Sequence, residues 1–386
     1  MCPSYRATKN EKDTTRARAN ALREILNEST AKYKFNNVAL KEVFDLCISC
    51  KGCSNECPSN VDVSILKSEF LYQFYKDNKR PLRDFLFVKN SFFLKLARLF
   101  PEIANAIIQS KLFKKSMGIA VKRNLPKPKK QTFRAWLEQQ NIKETTKKVY
   151  LFIDEFTNNY DVELGKDAFM LLTKLGYQVL YTTHYQSGRA EISKGYLKKA
   201  KKLANRNIAV FSKLISKEVP LIGIEPSAIL SFRDEYLRLA DKAVEAKKLS
   251  ENTFTIEEFI ANEIDKGCIT ERQFRESEKI IKIHTHCHQK ALSTSEASFK
   301  MLNIPKNHKV TILNTGCCGM AGAFGYEKEH YAISMQIGEN SVFKKIKSQE
   351  INVEIAVSGT SCRHQITDGT GKKTKHPVSI LLDALK

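Results

Sequence analysis

Val149-Tyr150-Leu151-Phe152-Ile153-Asp154-Glu155-Phe156 is a β-branched and aromatic run that closes on acidic residues, and the texture of the chain changes there. Similar runs return at Val179-Leu180-Tyr181 and Val219-Pro220-Leu221-Ile222-Gly223, then at Ile280–Ile283, Val310–Leu313 and Ile355–Val357, with helical periodicity between them. Alternation of this kind predicts α/β units on mostly parallel sheets. The series also reads as a duplication. Phe152–Phe156 matches Ile283-His284-Thr285-His286-Cys287, and Gln186-Ser187-Gly188 matches Cys317-Cys318-Gly319 at the same onward spacing. Glu225-Pro226-Ser227-Ala228 then matches Gly359-Thr360-Ser361-Cys362. The first copy thus carries Phe156, Gln186, Ser187 and Ala228 where the second carries Cys287, Cys317, Cys318 and Cys362. It is expected to keep the fold without the metal chemistry. Within it, Thr255-Ile256-Glu257-Glu258 is a capping box for a helix running to about Asp265.

Upstream, residues 1–145 read as helical. Leu22, Ile25 and Leu26 follow helical spacing, as do Val63, Leu66, Phe70, Leu71 and Phe74 after a turn at Pro58-Ser59-Asn60. Helical periodicity continues through Phe85–Leu99 until Pro101 interrupts it. Leu125-Pro126-Lys127-Pro128-Lys129-Lys130 has linker composition. The expected organisation is an all-helical region over 1–145, with its linker near 125–130, then α/β repeats over 146–270 and 271–386.

A length of 386 residues suits two to three domains, and 42% hydrophobic with 27% charged residues excludes wholesale disorder. No run of 18 apolar residues occurs, so no spanning helix is expected, and the first residues carry no apolar signal region. A cytoplasmic protein is expected, with peripheral contact to a membrane face as its furthest reach. Net charge is +22, concentrated at 111–130 and 193–217, each with eight Lys/Arg and no acid. This reads first as a solvated lysine-rich surface. A basic, zinc-containing nucleic-acid-binding protein is the remote alternative, since no recognition motif accompanies the charge.

Ten cysteines are the informative feature. Cys47-Ile48-Ser49-Cys50-Lys51-Gly52-Cys53-Ser54-Asn55-Glu56-Cys57-Pro58 is a compact C-x2-C-x2-C-x3-C-P run. Thiolates are soft anionic donors suited to an iron–sulfide core, and this spacing is the bacterial ferredoxin form; zinc more often takes two separated pairs. Gly52 is expected to relax the turn. In two-cluster ferredoxins the fourth cysteine of such a run ligates the other cluster. Cys2-Pro3 has the form of a fourth cysteine without its preceding three, so Cys47, Cys50, Cys53 and Cys2 are expected to hold one 4Fe-4S cluster, with Cys57 reaching a second. The simpler alternative closes a single cluster with Cys57. A second set, Cys287, Cys317, Cys318 and Cys362, is accompanied by His284, His286, His288 and His364. Its thiols leave the ends of three predicted strands, where α/β ligand sites lie, and are expected to hold a second iron–sulfur cluster or zinc. Cys268 stands apart. No flavin, nicotinamide or P-loop fingerprint occurs, and no catalytic residue is assigned.

Cys47–Pro58, His286-Cys287-His288-Gln289-Lys290 and Thr315-Gly316-Cys317-Cys318-Gly319-Met320-Ala321-Gly322 together resemble the iron–sulfur part of FAD-linked 2-hydroxyacid oxidoreductases. That group includes the iron–sulfur subunit of glycolate oxidase and the C-terminal half of fused lactate or 2-hydroxyglutarate dehydrogenases. The cysteine-rich CCG domain is shared with heterodisulfide reductase and anaerobic glycerol-3-phosphate dehydrogenase subunits. The resemblance implies a ferredoxin-type helical domain followed by two CCG-type units. It also implies an electron-transfer role from a FAD-bearing partner domain or subunit to a quinone or other acceptor. Two departures matter. The first CCG copy lacks cysteines, and Cys362 is followed by Arg363-His364-Gln365 rather than the C-x-x-C ending of the heterodisulfide-reductase form. A thiol–disulfide redox subunit is therefore the alternative function.

Residues 81–123 combine Phe85, Phe87, Phe92, Phe93, Leu96, Leu99 and Phe100 with a series of Lys/Arg. Cover for the cluster is the first expectation for this stripe, a docking face for the flavin domain the second, and an anionic lipid surface the third.

Overall fold

The computed structural model describes residues 2–59 and 61–386, and the side chain of every one of these except Ser91. Asn60, in the expected turn at 58–60, lies outside the described residues.

Among the described residues seven strands form two sheets in which every pair is parallel. β1 (Lys148–Phe152), β2 (Gln178–Leu180), β3 (Leu221–Gly223) and β4 (Thr253–Thr255) stand in the order β2-β1-β3-β4. β5 (Lys279–His284), β6 (His308–Ile312) and β7 (Glu354–Val357) stand in the order β6-β5-β7. In each sheet the earliest strand is central, the next pairs on one side and the third on the other, so the two sheets share a topology. The first adds an edge strand, β4. β3 is buried at every position, as expected of a parallel strand with helices on both faces. The expected capping box is present, with Thr255 and Glu258 opening the helix Ile256–Asp265.

The sheets are joined by one core. Val149, Leu151, Ile222, Leu171 and Ile260 from around the first sheet belong to the same buried cluster as Met301, Val378, Leu381 and Leu385 from around the second. The helices Glu296–Asn303 and Pro377–Asp383 supply most of the latter residues.

Ahead of the sheets the chain is helical. Thr14, Asn37 and Asp62 cap the helices Thr15–Glu28, Val38–Asp45 and Val63–Asp77, each accepting a bond from a free backbone N–H. Leu22, Leu40, Phe44, Val63, Phe70 and Phe74 pack between them, with Phe44 and Phe70 stacked at 5.4 Å. Of the expected apolar face, Leu26 is exposed instead.

Three local expectations change. The periodic stretch 85–99 is two helices, Leu82–Val88 and Asn90–Ala97, that meet at Lys89. Pro101 opens the helix Pro101–Gln109, because a first-turn proline gives up an N–H that had no partner anyway. The repeat shifts by one residue at its first loop. His286 caps the helix Cys287–Leu292 and Asp154 caps Glu155–Asn159, so Glu155, not Phe156, occupies the place of Cys287. At the third loop Glu225 and Gly359 are both caps, and the match of Ala228 with Cys362 stands.

Gly188 and Gly319 are matched positions, with φ of 76° and 90°. A Cβ at Gly319 would lie 2.4 Å from the carbonyl oxygen of Ser334, whereas at Gly188 nothing lies closer than 3.7 Å. Gly319→Ala is expected to cost about 2–4 kcal/mol from strain and overpacking together, and Gly188→Ala clearly less. Denaturant midpoints of the two variants check this; equal losses would mean that the Ser334 contact yields.

Candidate metal centre

The helix Val38–Asp45 ends just before Cys47, whose N–H donates to the carbonyl of Phe44. The chain then turns sharply around Cys50. The turn is carried by Ser49 (φ 49°) and Lys51 (φ 59°), both left-handed without being glycine, and not by Gly52. Left-handed backbone at such residues costs of order 1–3 kcal/mol each and persists only where surrounding contacts enforce it. Those contacts come from both α/β copies. His288 Nε2 lies 3.1 Å from the carbonyl oxygen of Ser49. The Lys51 ammonium is buried against Asp234, against Glu235 at 3.0 Å and against Asp62 at 3.6 Å. Cys53 follows in the short helix Gly52–Glu56, and Cys57 caps its end.

Cys2 precedes the helix Pro3–Thr8 and reaches the same region. The guanidinium of Arg18, only 1% exposed, donates to Cys2 Sγ at 3.1 Å, to Ser4 Oγ at 3.0 Å and to the carbonyl of Val43 at 3.0 Å. Burial pushes the Cys2 thiol up, but Arg18 and Ser4 outweigh it and hold the group below its ordinary range. Cys50 and Cys53 go the other way. Burial dominates both, and the nearby thiols Cys47 and Cys2 add to it. Cys2 is therefore electrostatically coupled to both Cys50 and Cys53.

The second set lies beyond the C-terminal ends of β5, β6 and β7. Cys287 and Cys317, Cys317 and Cys318, and Cys318 and Cys362 each act on the other's thiol, so the four lie side by side. The Cys287 thiol is pushed well up by Cys317 and by burial. Cys50 is also raised by Cys287, and Cys317 by Cys50, so the two sets face each other. In the first copy the corresponding contact is Glu155, which accepts bonds from the N–H of Ser187 at 3.0 Å and its hydroxyl at 2.6 Å. A carboxylate and a hydroxyl thus stand where the second copy has thiols.

One cavity of about 890 Å³ joins the sets: Cys2, Cys47, Cys50, Cys53, Cys57, Cys287 and Cys317 all line it. Cys318 and Cys362 sit buried behind its wall. Every cysteine here is a free thiol. Arg6, Arg16, Arg18, Lys51, Lys290 and Lys345 also line the cavity, which suits an anionic, thiolate-bound group. None of the four histidines does. His284 Nδ1 meets Thr315 Oγ1 at 2.7 Å, and burial takes that imidazole down to about 3, so it is neutral. His286 caps its helix, and His364 Nδ1 meets the hydroxyl of Tyr326 at 3.0 Å. The donors offered to the cavity are soft sulfur, and they fit an iron–sulfur group better than a mixed thiolate–imidazole zinc site. Cys268 is remote, its N–H bonded to the carbonyl of Glu263. Of the aromatic residues at 85–100, Phe87 packs against the buried cluster that holds Cys318 and Cys362, and none lines the cavity.

Three residues of this site escaped the reading of the sequence. Arg18 and Lys51 act through partners distant in the chain. Lys67 is a half-buried cation whose ammonium donates to the carbonyls of Asp45 and Cys47. Only the position of Lys51 inside the cysteine run was a signal.

Residues 1–62 match the family model described as a 4Fe-4S dicluster domain. The chain is 25% identical over 446 residues to the D-2-hydroxyglutarate dehydrogenase of Haemophilus influenzae, covering 100% of this chain and 42% of that protein. It is 26% identical over 437 residues to the D-2-hydroxyglutarate dehydrogenase of Escherichia coli K12, again 100% and 42%. To one subunit of the anaerobic glycerol-3-phosphate dehydrogenase of Escherichia coli K12 it is 27% identical over 319 residues, 80% of this chain and 79% of that one. The chain spans about two fifths of the length of the D-2-hydroxyglutarate dehydrogenases it matches. The resemblance carried by the cysteine motifs is borne out: this is an iron–sulfur component similar to parts of dehydrogenases.

Lys51→Met would leave Asp234 and Glu235 buried beside Arg189 and Arg238 alone. Breaking a buried charge cluster from one side costs about 3–5 kcal/mol. The expected outcome is a destabilised protein that loses iron faster to a chelator than wild type, followed by absorbance. An unchanged rate of iron loss would mean the cage does not hold the loop.

Proposed function

We propose that this chain is the electron-transfer component of a flavin-dependent 2-hydroxyacid dehydrogenase. A FAD-bearing partner domain or subunit would oxidise the substrate, and electrons would leave through this chain to a quinone or another acceptor, on the cytoplasmic side. The observation that carries this reading is the single cavity bordered by seven thiols from both cysteine sets. D-2-hydroxyglutarate is the first substrate to try with the partner, since the match to enzymes of that name runs the length of the chain.

In this reading Cys47, Cys50 and Cys53 hold one cluster together with Cys2. The Arg18 bond supports that role for Cys2, because it holds the sulfur toward its anionic form and fixes its position. Cys57, at the far end of the run, belongs to a second cluster, and Cys287, Cys317, Cys318 and Cys362 hold a third metal group. A bound iron–sulfur cluster supplies one-electron redox chemistry, which flavin hydride oxidation needs in order to reach one-electron acceptors. The protein's part is to exclude water with Ile48 and Ile337, to balance charge with Lys67 and Arg18, and to keep the cysteine loop rigid.

The alternative, thiol–disulfide chemistry at the second set, asks for a low thiol pKa. Cys287, Cys317 and Cys318 are all pushed the other way, so as free thiols they are poor nucleophiles.

Purified without oxygen, the protein is expected to be brown, with iron and acid-labile sulfide. Cys50→Ser should abolish the ferredoxin-type signal in electron paramagnetic resonance. Cys2→Ser should shift or weaken it while Cys57→Ser leaves it in place. A colourless zinc protein would overturn the proposal, as would oxidation of D-2-hydroxyglutarate by this chain without a flavoprotein.

A further inference from the structure

Lys290 closes the motif His286-Cys287-His288-Gln289-Lys290 and lies on the helix Cys287–Leu292. It is half-buried and lines the thiol cavity, and its ammonium donates to the carbonyl of Thr315, two residues before Cys317. Lys345 lines the same cavity and donates to the carbonyl just before, that of Asn314. Two cations thus fasten consecutive carbonyls of the loop that leads to Cys317 and Cys318. They differ in depth, for Lys345 is exposed. The carbonyl of Lys290 accepts from the side-chain amide of Asn55 at 3.4 Å, and Asn55 shares the helix Gly52–Glu56 with Cys53. Lys290 therefore stands where the two cysteine sets meet. Burial holds its ammonium below the usual lysine range, and Cys287, Cys317 and Cys362 oppose this, so its charge acts at three thiols of the second set.

The first copy shows that the fold does not need a cation at this place. Counted from the matched caps Asp154 and His286, the position of Lys290 is taken by Asn158, whose side-chain oxygen accepts from the N–H of Arg134. The copy without thiols has no ammonium there, and the copy with thiols has one. We propose that Lys290 raises the reduction potential of the metal group held by Cys287, Cys317, Cys318 and Cys362. The proposal rests on the reading above, taken further to a redox-active iron–sulfur group at these four cysteines. One electron gained there adds one negative charge, and a fixed ammonium beside the ligands favours the reduced form over the oxidised one. A charge at short range in a partly buried site is weakly screened and is worth about a tenfold change in an equilibrium or more. Lys345 reaches the same loop from the solvent, where its charge is screened.

The test is a potentiometric titration of the full, iron-loaded chain followed by electron paramagnetic resonance. The signal of the second set is the one that Cys317→Ser removes and Cys50→Ser leaves. Lys290→Met should keep its iron and lower the midpoint of that signal by at least about 59 mV, the equivalent of tenfold for one electron, while the ferredoxin-type signal moves less. Lys290→Gln keeps a donor for the Thr315 carbonyl without the charge and should match Lys290→Met. Lys290→Arg should stay near wild type, and Lys345→Met should shift the midpoint clearly less than Lys290→Met. Should Lys290→Met lose iron, the Gln and Arg variants give the same comparison. A Lys290→Gln midpoint equal to wild type would overturn the proposal and leave the lysine as a fastening for the loop. So would equal shifts from Lys290→Met and Lys345→Met, which would mark a general effect of surface charge. Each of these results leaves the electron-transfer reading standing. Wild type with no signal that depends on Cys317 would overturn the iron–sulfur reading of the second set and the proposal with it.

Discussion

The Lys51 ammonium is 1% exposed and is caged by Asp62 of the helical region and by Asp234 and Glu235 of the first α/β copy. Taking one charge out of water costs several kcal/mol, so such a group is tolerable only when its partners close around it. The carboxylates are shared onward, Glu235 with Arg189 and Asp234 with Arg238. Burial raises the Glu235 carboxyl, but Arg189 and Lys51 outweigh it and hold it down at about 2. An electrostatic network of this kind fixes position more sharply than apolar contact does, because a displaced charge loses its partners outright. The left-handed turn at Ser49 and Lys51 is the local product of that constraint, and the convergence of Cys47, Cys50 and Cys53 depends on it.

The first copy thus has a role although it has no thiols. Glu155 ties its first two loops together by accepting from the N–H and hydroxyl of Ser187, while Asp154 accepts from the N–H and hydroxyl of Thr157, and burial raises Asp154 to about 7. Its third loop sends Glu225 across to the second copy, where the carboxylate accepts a bond from the N–H of Thr360, two residues before Cys362. One copy holds the cysteine loop through Lys51 and steadies the other's last thiol through Glu225. The copy without thiols is a bracket for two sites.

Much of this was legible because period and spacing are local properties. The six short apolar runs, the capping box at Thr255 and the cysteine run could each be read within about a dozen residues. The duplication was visible because the spacing between its loops is kept and its second loop keeps a glycine, Gly188 matching Gly319. Its first loop slipped by one position because Phe152–Phe156 and Ile283–Cys287 pair acceptably in either register by hydrophobicity, and only the caps Asp154 and His286 decide. The break at Lys89 was hidden for a similar reason, since two short helices in succession keep one apolar spacing. Lys51, Arg18 and Lys67 were out of reach because their partners are set by tertiary contact: Asp234 lies 183 residues from Lys51. The exposure of Leu96, Leu99 and Phe100 was equally invisible, since an amphipathic pattern does not say whether its apolar side is covered.

The core shared by the two copies has a consequence for how the chain is made. Leu171 and Leu172 of the helix Val162–Lys174, and Ile260 of Ile256–Asp265, are covered in the finished molecule partly by Met301, Val378 and Leu381. On the ribosome the first sheet can pair while those later helices are still unsynthesised, so the nascent protein presents a naked apolar flank until the helix Pro377–Asp383 has emerged. Exposed flanks of this sort invite aggregation and chaperone capture. Completion of the second cysteine set comes at nearly the same point, because Cys362 is made only shortly before that helix, whereas Cys2, Cys47, Cys50 and Cys53 are made first.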